Sequence, residues 1–258
     1  MRTLLYSLLG VFLAISANAK IKTETVEYKQ GDTTLEGYIA YDAAIKGKRP
    51  VVMIVHEWTG LGDYVKGRAQ QLAEKGYVAF ALDIYGKGVR PAPPEAGKEA
   101  GKYKADRKLM RDRAQAGFDF IKNKPYADTS KMVAMGYCFG GTVALEMARA
   151  GLPLVGAVSF HGGLATPIPQ DANNIKAKIL VLHGALDPGV NPEIPGFQKE
   201  MNDAKVDYQF ISYSGAVHAF TNPQAGNDIS KGAAYNAVAD RRSMVAFLDF
   251  LNEVAPLK

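Results

Sequence analysis

The chain carries two hydrophobic rhythms. Between Thr25 and Tyr41, polar and apolar residues alternate on either side of "QGDTT". A period of two around a glycine-containing turn predicts a hairpin of half-exposed strands. After Pro50 the rhythm changes, and "VVMIVHE" is a continuous apolar run of the kind that suits a strand buried on both faces. The stretches "YVAFALD", "KMVAMG", "LVGAVSFHG", "KAKILVLHG" and "VDYQFISY" are read as further strands.

Helical spacing fills the intervals. From Asp63 to Lys75 the residues Val65, Ala69, Leu72 and Ala73 fall on one side, and Gly76 ends the pattern. A loop rich in glycine and proline, Gly86 to Pro94, leads into one charged amphipathic helix that ends near Lys124. Further helices are expected from Gly140 to Ala150, from Glu193 to Ala204, and from Ala233 to Val254 as a long closing element. Strands alternating with helices imply a mostly parallel central sheet with helices on both faces. Such sheets bind ligands beyond the carboxyl ends of their strands, so chemistry is sought just after each buried run.

The first residues follow another logic. Arg2 supplies a positive charge, Leu4 to Ile15 are almost wholly apolar, and Ala17-Asn18-Ala19 has the small-x-small pattern of a signal-peptidase site. Residues 1–19 are therefore expected to be a signal peptide, and residues 20–258 a single α/β domain exported to the periplasm. No later segment is long and apolar enough to cross a membrane, so no stable membrane insertion is expected after cleavage. The net charge of +5 is mild, and the loose basic cluster from Lys98 to Arg113 is broken by Glu99, Asp106 and Asp112. That pattern suits a solvated helix face and not a nucleic-acid partner. Four scattered histidines and one cysteine give no metal-site spacing, and no cofactor is expected.

The single cysteine is the exception to its surroundings. Gly136-Tyr137-Cys138-Phe139-Gly140 lies where a strand gives way to a helix, a cysteine version of the G-x-S-x-G nucleophile elbow. Small residues two positions either side let strand and helix approach closely, and a helix N-terminus favours thiolate over thiol. A nucleophile needs a base, and His218 follows the last strand. His56, His161 and His183 end buried strands before glycine-rich turns and are read as satisfying backbone groups. Asp187 leaves the strand "KILVLHG" by a short turn, between nucleophile and base in chain order, and is the candidate to orient His218. Asp171, Asp203, Asp207 and Asp228 lie at no such strand end. The backbone N–H groups of Phe139 and Trp58 are the candidate oxyanion donors. Glu57, an acid at the end of a buried strand, is a candidate partner for the Cys138 thiol or for His218.

Taken together, "GYCFGG", "HEWTG", "LHGALDPGV" and "AVHAF" resemble the dienelactone hydrolase family of α/β-hydrolases, from about Thr25 to the last helix. The resemblance implies an α/β-hydrolase fold without a separate lid domain, a Cys138–Asp187–His218 triad, an oxyanion hole from Trp58 and Phe139, and a resting thiol contacted and tuned by Glu57. In that family two arginines hold the substrate carboxylate, one after a Leu-Tyr pair and one four residues past the histidine. Here those stretches read Ile84-Tyr85-Gly86-Lys87 and His218-Ala219-Phe220-Thr221-Asn222. Tyr85, Lys87 and Arg90 are therefore the candidate substrate-binding residues, while Asn222 cannot supply the second charge. Dienelactone itself is not implied as the substrate.

The expectation is an exported, monomeric hydrolase acting on a small-molecule ester or lactone through a covalent thioester. With His218 as a neutral base, activity should fall as pH drops through an imidazole-like value. The alternatives are a non-catalytic binding protein that keeps the pocket, which an assay with p-nitrophenyl acetate separates, and a thiol-based redox protein, which usually needs a second thiol.

Overall fold

The computed structural model describes residues 19–257, so all but the last residue of the expected leader lies outside the described residues. Eight strands form one sheet in the order β1-β2-β4-β3-β5-β6-β7-β8. The expected hairpin is β1 (Ile21–Gln30) and β2 (Thr33–Asp42), antiparallel to each other, and β2 joins the rest by pairing antiparallel to β4 (Val78–Leu82). From β4 onward the sheet is parallel: β3 (Arg49–Val55), β5 (Ala127–Tyr137), β6 (Gly156–Phe160), β7 (Lys178–Gly184) and β8 (Tyr208–Tyr213).

The continuous apolar runs have a simple cause. Along β3, Val51, Met53 and Val55 enter one core layer while Val52 and Ile54 enter the other, and all five are fully buried. Helices α2 (Glu95–Ala105), α3 (Arg107–Lys122), α4 (Phe139–Arg149) and α5 (Ile194–Asp203) contribute to the first layer. Helices α1 (Asp63–Glu74) and α6 (Ala237–Val254) contribute to the second. Each fully buried aliphatic side chain is worth about 1.5–3 kcal/mol of transfer free energy, which is why neither face of these strands tolerates polar alternation.

Two helix boundaries differ from the sequence reading. The single charged helix before Lys124 is two, because Asp106 ends α2 and its side chain accepts the Leu109 amide at 2.9 Å, capping α3. The closing helix starts at Ala237, not Ala233, because Asn236 caps it by accepting from the Ala239 amide at 3.0 Å. The residues released from that helix have another use. Ala233 forms an isolated parallel bridge with His218, in which the His218 amide donates to the Gly232 carbonyl at 3.1 Å and the Ala234 amide donates to the His218 carbonyl at 3.0 Å.

Candidate active site

The elbow is built from backbone contacts. A Cβ on Gly136 would lie 2.1 Å from the Gly140 carbonyl oxygen, and one on Gly140 would lie 2.2 Å from the Val55 carbonyl oxygen. Only glycine lets β5, α4 and the end of β3 approach this closely. Cys138 sits between them at φ 55°, ψ −116°, a conformation that costs a non-glycine residue about 1–3 kcal/mol. Its N–H is held by the Phe160 carbonyl at 3.0 Å and His161 Nδ1 at 3.2 Å, and its carbonyl accepts from the Gly141 amide at 3.0 Å. Helix α4, which starts at the next residue, is anchored from below. Arg149, almost fully buried, donates to both carboxylate oxygens of Glu200 at 2.8 and 2.7 Å and to Glu146 at 3.0 Å.

Asp187 follows β7 and is 2 % exposed. Its Oδ1 accepts from the amides of Gly189 and Val190 at 2.9 and 3.1 Å, leaving Oδ2 to meet His218 Nδ1 at 2.8 Å. Burial alone would raise its carboxyl. The hydrogen bond and charge of His218, with the two amides, hold it below the ordinary carboxylate range instead. His218 and Cys138 line the same cavity, with the sulfur near enough to act on the charge of the ring. Burial disfavours the imidazolium, but the Cys138 sulfur and Asp187 outweigh it and push His218 up to about 10. Asp187 thus orients the imidazole and, with the nearby sulfur, favours its protonated form.

The other histidines hold backbone. His161 Nδ1 accepts the Cys138 N–H, so its Nε2–H donates to Thr221 Oγ1 at 2.7 Å, tying the elbow to the loop after His218. Burial, reinforced by the charge of His218, keeps this ring neutral. His56 Nε2 accepts from the Ile84 amide at 3.2 Å, so Nδ1–H donates to the Glu57 carbonyl at 2.6 Å. Burial pushes His56 down to about 4. That carbonyl also accepts from the Gly60 amide at 3.2 Å. Because the peptide is planar and trans, fixing the Glu57 carbonyl fixes the Trp58 N–H on its opposite side. Tyr85 secures the next peptide by donating its hydroxyl to the Trp58 carbonyl at 3.0 Å. The Phe139 N–H, first in α4, has no intrahelical acceptor.

Above these groups is a cavity of about 570 Å³. Glu57, Trp58, Cys138, His218, Asn222 and Gln224 supply its functional walls, and Pro93, Ala219, Ala225 and Ala233 are among its apolar ones. Among the described residues no group of three or more His, Cys, Asp or Glu side chains is placed to hold a metal ion.

The profile of the dienelactone hydrolase family matches residues 35–255. The chain belongs to that family. A protein of Aquifex aeolicus, provisionally named carboxymethylenebutenolidase, is 33% identical over 204 residues, covering 77% of this chain and 87% of its own. A solved dienelactone hydrolase-like promiscuous phosphotriesterase from metagenomic libraries is 38% identical with a TM-score of 0.88, over 92% of this chain and 99% of its own. The structure called m3DLH is 36% identical, with the same TM-score and coverage. This member of the family is accordingly an α/β-hydrolase and a hydrolase of carboxylic esters or lactones.

The candidate substrate-binding residues lie elsewhere than the family resemblance suggested. Lys87 is half exposed and pairs with Glu27 on the hairpin at 2.6 Å. Arg90 donates to the Leu61 and Val89 carbonyls at 2.7 and 2.8 Å and pairs with Glu36 at 3.2 Å. Neither is among the residues lining the cavity, and Tyr85 supports the Trp58 loop from behind. Glu57 does share the cavity with Cys138, but its Oε2 accepts a hydrogen bond from Asn222 Nδ2 at 2.8 Å. Burial raises its carboxyl, with Asn222 acting in the opposite direction. The Asn222 contact went unread in the sequence, although its place four residues after His218 was the available signal. For Thr221 and Gln224 there was no such signal.

Proposed function

We propose that this hydrolase works through a covalent thioester on Cys138, with His218 as proton carrier and Asp187 as its orienting carboxylate. The observation that carries the reading is His218 Nδ1 2.8 Å from Asp187 Oδ2, with His218 and Cys138 lining the same cavity. The thiolate attacks the ester carbon, forming a C–S bond while the carbonyl electrons move to oxygen. That oxygen faces the N–H groups of Phe139 and Trp58. As the intermediate collapses, the C–O bond breaks and the proton on His218 passes to the departing oxygen. Neutral His218 then takes a proton from water, which attacks the thioester and releases the acid and the thiolate. A thiolate leaves readily, so easily departing alcohols such as enols suit this nucleophile. Leu4 to Ile15 followed by Ala17-Asn18-Ala19 supports export, and we assign the mature chain to the periplasm.

The raised histidine changes the pH behaviour expected from sequence. A group whose pKa rises on folding keeps its proton through the ordinary range and gives it up only as pH passes the folded value. For an alkyl ester, kcat/KM should therefore show no limb near the ordinary imidazole value of about 6.5. It should fall as pH rises through about 10, where the pair loses the imidazolium. A pH–rate profile that climbs through about 6.5 would instead mark a neutral histidine acting on a thiol.

A further inference from the structure

The cavity combines a half-buried acid with a lining that contains no lysine or arginine among the described residues. Glu57 is its one carboxylate, and Asn222 and Gln224 are neutral amides. The basic groups in the surrounding loops are occupied elsewhere. Lys87 is on Glu27, and Arg90 is on Glu36 and two carbonyls. Arg68, whose charge reaches Glu57, donates to the Thr221 carbonyl at 2.9 Å and pairs with Asp240 at 2.7 Å. Its Nη2 carries both contacts, so it is committed behind the wall and not among the lining residues.

We propose that this cavity selects esters and lactones with uncharged acyl groups and rejects those that carry a carboxylate. The inference rests on the hydrolase reading above and specifies its substrate class. A carboxylate entering here loses water without gaining a free counter-charge, because the His218 imidazolium is already paired with Asp187 and held by the Cys138 sulfur. When Glu57 is ionised, the two like charges also repel. A neutral acyl chain meets Trp58, Pro93 and the three alanines, and a neutral carbonyl or hydroxyl on it finds the amides of Asn222 and Gln224.

The test compares two esters with one leaving group and acyl chains of similar length, p-nitrophenyl heptanoate and mono-p-nitrophenyl adipate. The wild-type protein should favour the heptanoate by at least about tenfold in kcat/KM, as like-charge or unpaired-charge burial implies. Asn222→Arg and, independently, Gln224→Arg on the exposed rim should each shift the adipate-to-heptanoate ratio upward by about tenfold. Taking the ratio within each variant cancels any general loss of activity. Equal rates on the two esters, a preference for the adipate, or a ratio that neither arginine moves would overturn the inference. Turnover of neither ester would overturn the hydrolase reading itself, a different result from turnover without selectivity.

Discussion

Cys138→Ala is expected to lower kcat/KM for a simple ester at least about a thousandfold while leaving the protein folded. The side chain borders the cavity, so truncating it to a methyl group opens little space within the packed core. Alanine inherits the same backbone strain at φ 55°, and the hydrogen bonds that hold the elbow run through the backbone N–H and carbonyl, which remain. The oxyanion donors and the cavity also survive, so some residual turnover over water is expected. Circular dichroism and the thermal midpoint should match those of the wild type. Loss of less than about tenfold in a folded variant would transfer the nucleophile to another group.

Asp187→Asn should cost about a hundred- to ten-thousandfold in kcat/KM. The amide oxygen can keep the Gly189 and Val190 contacts, so the turn after β7 should persist. The amide nitrogen would then face His218 Nδ1 and favour the ring tautomer with its proton on Nε2 and a lone pair on Nδ1. The carboxylate that helps hold the imidazolium would also be gone. The descending limb expected near pH 10 should accordingly move to lower pH in this variant. A large rate loss with the limb unmoved would give Asp187 a purely structural role.

The parts of this molecule that were legible in the sequence are those fixed by local backbone demands. Gly136 and Gly140 have no room for a side chain, so the elbow showed as a spacing. The apolar run of β3 showed because both of its faces are buried, and Asp187 and His218 were found by looking just past strand ends. Other features depend on partners far away in the chain. Asn222 meets Glu57 across 165 positions, and its place four residues after His218 marks the position without naming that partner. Lys87 and Arg90 sit on a loop from which long side chains reach in several directions, and acids on β1 and β2 draw them away from the cavity. The break at Asp106 was hidden because the residues on both sides continue a charged amphipathic pattern, and only the cap interrupts it. The protonation of His218 depends on its sulfur and carboxylate neighbours together, which chain order alone does not weigh.

The central claim is a covalent acyl group on one sulfur, and mass spectrometry of an acid-quenched reaction tests it most directly. After brief mixing with excess p-nitrophenyl acetate, the intact chain should gain the mass of one acetyl group. Tryptic digestion should place that group on the peptide from Met132 to Arg149, which contains the only cysteine. The adduct should be labile to hydroxylamine, as a thioester is, and absent from Cys138→Ala. Turnover with an acetyl group found on another residue, or an adduct that persists in Cys138→Ala, would contradict the account.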